Sequence, residues 1–153
     1  MKSLFQYINE AFKYKLHWSK NSAYVDMKSK LNPKDTKRII KDVTDIMELF
    51  FDEIDLWEFD PEFESKTASG GSEFEITMMY GDDYIAIDGS FDYWMMQEPA
   101  TYDYPSYSEA EISNIRVEKL CIYHNEDEYT EDIDDLTKDI NKYFKGETFG
   151  NKL

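Results

Sequence analysis

Apolar residues recur along this chain at two periods, and the change from one to the other divides it in two. Leu4, Ile8, Ala11 and Phe12 fall on one helical stripe, with Tyr7 beside them and Ser3 available as N-cap, which predicts an amphipathic helix over 1–15. Leu16 to Leu31 is polar and without period, so a loop is expected there, with a short extended piece around Tyr24 and Val25. Asn32-Pro33 then opens the clearest helix, with Asn32 as N-cap, Pro33 at the first helical position and Asp35 in the first turn. Ile39, Val43, Ile46, Met47, Phe50 and Ile54 form its apolar stripe, so it should run to about Glu53. Pro61 blocks any continuation.

Beyond this point the period falls to two. Thr67 to Ser72, rich in Gly and Ser, reads as a flexible connection between a helical half and a β half. Phe74, Ile76, Met78 and Tyr80 alternate with Glu73, Glu75 and Thr77, the pattern of a half-buried strand. Gly81-Asp82-Asp83 supplies turn residues and Tyr84 to Ile87 returns, giving a hairpin over Phe74 to Ile87. Gly89 either marks a bulge or ends that strand before Phe91 to Met96. Gln97 to Ala110 holds two prolines and three tyrosines and is expected to be a long ordered loop. Ile112 to Tyr123 is another strand, and the phase change between Ile115/Val117 and Leu120/Ile122 predicts a bulge near Glu118-Lys119. A last helix has Thr130 as cap, Glu131 and Asp132 at its positive end, and Ile133, Leu136, Ile140 and Phe144 as its stripe. Lys142 and Lys145 suit its negative end, and Gly146 its left-handed stop. The expected fold is a single acidic α+β domain over 1–153: an antiparallel β-sheet with a hairpin, two N-terminal helices and one C-terminal helix.

Charge sharpens this picture. The 153 residues carry 33 Asp+Glu against 17 Lys+Arg, a net of -16. Met1 to Lys41 holds 10 basic and 3 acidic residues, and the remainder 7 and 30. So acidic a block repels phosphates, and direct nucleic-acid binding is not expected. One cysteine excludes a disulfide framework and a four-cysteine zinc site. No run of 18 apolar residues exists and the N-terminus lacks a secretory pattern, so a soluble intracellular protein without membrane contact is expected.

Candidate chemistry is sparse. Cys121 and His124, three apart on a strand, point to opposite faces, and a buried thiol with a surface imidazole is the expected outcome. Glu64-Ser65-Lys66 resembles the end of a metal-nuclease acid–lysine constellation but falls in an expected loop. Asn125 to Asp135 is acid-rich yet lacks the sixth-position glycine of a calcium loop. No phosphate-cradling glycine loop exists, so neither an enzyme, a metal nor a cofactor is expected. What remains is surface. Asp132, Asp135 and Asp139 share one side of the last helix, and with Glu128 before it they form a candidate partner-binding face. Tyr102, Tyr104 and Tyr107 beside Trp94, Met95 and Met96 form a second candidate, because such side chains are enriched at interface centres.

The opening Met1-Lys2-Ser3-Leu4-Phe5-Gln6-Tyr7-Ile8-Asn9-Glu10-Ala11 resembles the capsid-targeting segments of large tailed bacteriophages. The resemblance implies a processing site at Ile8-Asn9-Glu10, with cleavage before Ala11. Pro99, Tyr102, Tyr104, Pro105 and the strand start Glu109-Ala110-Glu111-Ile112 resemble, more loosely, small phage proteins with an acidic final helix. Together these likenesses imply a phage protein located in the host cytoplasm or the virion. The expected function is non-enzymatic: binding and blocking a basic host nucleic-acid-binding or defence protein, by mimicry of nucleic acid. The alternative is a head-packaged cargo or virion structural protein without catalytic activity. Co-expression with the prohead protease of the same phage should create a new N-terminus at Ala11, read by mass spectrometry, and Glu10→Gln should prevent it; an intact chain removes the targeting reading.

Overall fold

Three long strands carry the architecture. In the computed structural model, which describes residues 14–152 and the side chains of 14–150, β3 (Thr67–Tyr80), β4 (Asp83–Glu98) and β5 (Tyr107–His124) form an antiparallel meander. β1 (Leu16–Ser19) and β2 (Ser22–Asp26) make a short hairpin, and β2 joins β3 in parallel. β6 (Asp127–Tyr129) and β7 (Phe149–Lys152) add to two separate stretches of β5. The helices are α1 (Thr36–Glu53), followed by a 3-10 turn at Leu56–Phe59, and α2 (Ile133–Phe144).

Among the described residues the sheet is therefore mixed and seven-stranded, which corrects the expected antiparallel α+β arrangement. The chain between β2 and β3 passes through α1, and such a crossover returns it to the same end of the sheet, making the pairing parallel. Two helices, rather than two plus one, stand among the described residues. The helix expected over 1–15 lies outside them except for Tyr14 and Lys15, which are not helical.

Other corrections have local causes. The extended piece expected around Tyr24 and Val25 is β2, and the loop expected before it is instead its hairpin partner β1; these strands are too short for an alternation of Leu16, Ala23 and Val25 to register as a period. Thr67 to Ser72 connects nothing: it extends β3 and pairs with Phe91 to Met96, because ladder hydrogen bonds need only backbone. Pairing of β4 with β5, out to Gln97 with Ser108 and Glu98 with Tyr107, shortens the loop expected at Gln97–Ala110 to residues 99–106. Helix α1 starts at Thr36, since Asn32 Oδ1 accepts from the Lys34 N–H at 3.1 Å in a preceding turn while Asp35 Oδ1 accepts from the Arg38 N–H and caps the helix. Asp132, left-handed at φ 59° and without a side-chain capping bond, holds the cap position of α2 in place of Thr130.

Both helices bury their stripes on the same face of the curled sheet. Ile39, Val43, Ile46, Met47, Phe50 and Ile54 are all buried, as are Leu136, Ile140 and Phe144. Phe51, outside the expected stripe, is buried too and centres an aromatic cluster: its ring lies 5.1 Å from Phe74, 5.5 Å from Phe91 and 5.8 Å from Phe149. The buried Asp42 carboxylate accepts from the Tyr80 hydroxyl at 3.0 Å. Burial, and then the Asp42 charge, hold the Tyr80 phenol well above its usual range.

Two irregularities interrupt the β4–β5 ladder. Asp88 pairs Lys119 but Gly89 pairs Val117, which leaves Glu118 as the bulged residue, where the phase change predicts it. The second slip, between Ser90 and Asp92, leaves Asn114 with φ 51° opposite the break. A Cβ on Gly89 would lie 2.2 Å from the Arg116 carbonyl oxygen and 2.6 Å from the Phe74 ring, so only glycine fits where the two strands close up.

Ile46→Asp should lower stability by about 3–5 kcal/mol by placing an unpaired charge in the core, measured by urea and thermal denaturation. Gly89→Ala should cost about 1–3 kcal/mol through overpacking, whereas Gly150→Ala, with open space around the added methyl, should change stability by less than about 0.5 kcal/mol.

Candidate functional site

One carboxylate organises the acidic end of the sheet. Asp83, first residue of β4, accepts a hydrogen bond from the Asn125 N–H at 2.8 Å through Oδ1, while its Oδ2 lies 3.0 Å from His124 Nδ1. The β5–β6 connection is the two-residue turn Asn125-Glu126, both left-handed at φ 51° and 69°, the geometry that suits a tight hairpin. Asp83 thus ties this turn to the β3–β4 turn, residues far apart in sequence. Exposed Asp82 is thereby gathered with exposed Glu126, Asp127 and Glu128.

The acidic run continues into α2. The Tyr129 hydroxyl donates to Glu131 Oε2 at 3.0 Å, and burial followed by that bond raises the Tyr129 phenol pKa. Asp132, Asp135 and Asp139 are exposed, on the flank of α2 away from buried Leu136, Ile140 and Phe144. Asp134 and Asp135 stand in the first turn, where the helix dipole favours negative charge. Tyr143 donates its hydroxyl to Glu48 and links α2 to α1.

The aromatic candidate does not join this surface. Tyr102 and Tyr104 sit in the 99–106 loop, fully and three-quarters exposed, and the Tyr107 hydroxyl donates to Glu109 at 2.8 Å. Met95, grouped with them by sequence, is a core residue, and Trp94 is 38% exposed. Between Tyr107 and Tyr123 runs the length of β5, about 50 Å of extended backbone. The aromatic loop and Glu128 thus lie at opposite ends of β5.

Cys121 is buried, and burial raises its thiol pKa, while His124 faces Asp83. Lys66 pairs with Glu98 at 2.8 Å, which draws it away from the Glu64-Ser65-Lys66 arrangement. Among the described residues no group of three His, Cys, Asp or Glu side chains could hold a metal ion. Glu10 and Ala11, the residues of the processing site, lie outside the described residues.

Two groupings were not legible in the sequence. Asp83 reaches His124 and Asn125 only because β4 pairs with β5, a contact no local pattern announces. Arg116, Lys119, Lys138, Lys142 and Lys145, scattered over thirty positions of an acidic segment, line one groove between β5 and α2. Their proximity follows from α2 folding back along β5; the only sequence signal was the rarity of basic residues after Asp42. Comparison with known proteins finds no matching family model, no matching curated protein and no matching solved structure.

Proposed function

We propose that this chain is a non-enzymatic binding protein of phage origin that docks a basic host protein, one that binds nucleic acid or acts in defence, and blocks it by presenting nucleic-acid-like charge. The observation that carries the reading is the acidic end joined through Asp83, continuing along Glu128, Asp132, Asp135 and Asp139 with every one of these last four side chains exposed. Along α2 the three aspartates follow at axial intervals of about 4.5 and 6 Å. One DNA strand presents a charge about every 3.4 Å, so the protein face offers a sparser but comparable row. Such a row steers a basic groove toward it over a Debye length of about 8 Å at physiological salt. Its side chains are held by a helix and a tight turn, which limits the ordering cost on docking.

No helix among the described residues is long and apolar enough to cross a membrane. The acidic surface is the feature through which the reading is tested. The full chain, immobilised, should capture a basic protein from host lysate, with affinity falling as salt rises and with duplex DNA competing. Reversing Asp132, Asp135 and Asp139 together to lysine should weaken that binding by about tenfold or more, whereas Glu73→Lys with Glu75→Lys should have little effect. An acidic partner, or binding indifferent to salt and DNA, overturns the proposal.

A further inference from the structure

The groove between β5 and α2 is anomalous in so acidic a protein. After Asp42 the chain has seven Lys and Arg residues, and five of them line this one groove: Arg116, Lys119, Lys138, Lys142 and Lys145. Only two carboxylates, Glu118 and Asp134, share the lining, and Glu118 is engaged by the Ser90 hydroxyl at 3.1 Å. None of the five cations forms an ion pair among the described residues, although pairs form elsewhere at Arg38–Asp42, Lys41–Asp45 and Lys66–Glu98. Asp134 and Asp135 precede Lys138 by four and three residues, the spacing at which a helix pair readily forms, and still none forms.

The groove is also built. Between Ser113 and Cys121 the outer edge of β5 has no strand neighbour among the described residues, because β6 takes only Ile122–His124 and β7 only Glu109–Ile112. There the Asn141 side chain stands in for a strand: its Oδ1 accepts from the Val117 N–H at 2.7 Å, and its Nδ2 donates to the Val117 carbonyl at 3.0 Å. These paired bonds set the spacing of α2 from the strand. The two β5 irregularities, at Glu118 and Asn114, fall along the same segment, and bulges re-aim the side chains beside them. They also make this edge a poor template for an added peptide strand.

Two adjoining open depressions, of about 660 and 690 Å³, lie on either side of Asn141 and share it and Arg116 in their linings. Each is of the size that holds a small organic ligand. We infer that this groove binds a small organic polyphosphate, with at least two phosphate groups distributed over the five cations. Several exposed cations match several separated anionic groups better than one, and Arg116 adds the forked donor geometry suited to phosphate. A long nucleic acid is disfavoured because its flanking phosphates would run onto the surrounding acidic surface, while a compact anion stays within the cationic lining. Asp132 and Asp139 lie on a different side of α2 from Asn141 and Lys145, whereas Lys142 projects close to Asp135; the inference is separable from partner capture because its readout is the binding of a small anion.

The test uses the full chain, with calorimetry and thermal shift at low and at physiological salt. Tripolyphosphate and magnesium-free ATP should each raise the melting temperature and bind with an affinity that falls as salt rises. Lys142→Glu with Lys145→Glu should weaken that binding at least about tenfold, and Arg116→Gln should weaken it independently. Lys34→Glu in the turn before α1 with Lys37→Glu in its first turn should leave it unchanged, and circular dichroism of all variants checks that the fold persists. Absence of binding by both probes, equal binding by the groove variants, or tighter binding of a single-stranded DNA 20-mer than of either probe overturns the inference.

Discussion

The fold depends on a single cluster of aromatic rings around Phe51. Through it α1 meets β3 at Phe74, β4 at Phe91 and β7 at Phe149, while Phe144 brings α2 to within 6.4 Å of the same Phe149 ring. The Phe51 ring meets Phe74 and Phe91 edge-to-face and Phe149 at a tilt, and aromatic pairs are worth roughly 0.5–1.5 kcal/mol each beyond the area they bury. Here they also decide geometry, because they hold both helices against one face of a sheet that would otherwise expose apolar rows. The curl of β3, β4 and β5 wraps that face around the cluster. Gly89 lets the curl close, since any side chain there would collide with the strand beside it.

Placing both helices on one face has a consequence for charge. Helix α2 must present Leu136, Ile140 and Phe144 to the sheet, and its remaining circumference is then divided between two environments. The flank with Asp132, Asp135 and Asp139 turns to solvent, and the flank with Thr137, Lys138 and Asn141 turns to the unpaired edge of β5. Asn141 fixes that edge by hydrogen-bonding both peptide groups of Val117. One short helix therefore separates an acidic surface from a cationic groove. Mutual repulsion within each set is tolerated because these side chains are exposed and water screens their charges.

Some of this architecture is local and could be read from the chain alone. The stripes of α1 and α2, the Phe74–Ile87 hairpin and the bulge at Glu118 all follow from side-chain period, which needs only near neighbours in sequence. The exposure of Asp132, Asp135 and Asp139 follows from the same helical period that buries Leu136 and Ile140. What period cannot express, tertiary structure decided. The parallel pairing of β2 with β3 depends on where α1 returns the chain, and the strand character of Thr67–Ser72 on a partner across the sheet. The same holds for Asp83 joining His124 and Asn125, and for five cations meeting across β5 and α2. Composition and period determined that this chain is acidic and which faces it buries, because those are properties of short segments. Which charges become neighbours was settled only by long-range pairing, because a backbone ladder brings together residues that share no local pattern.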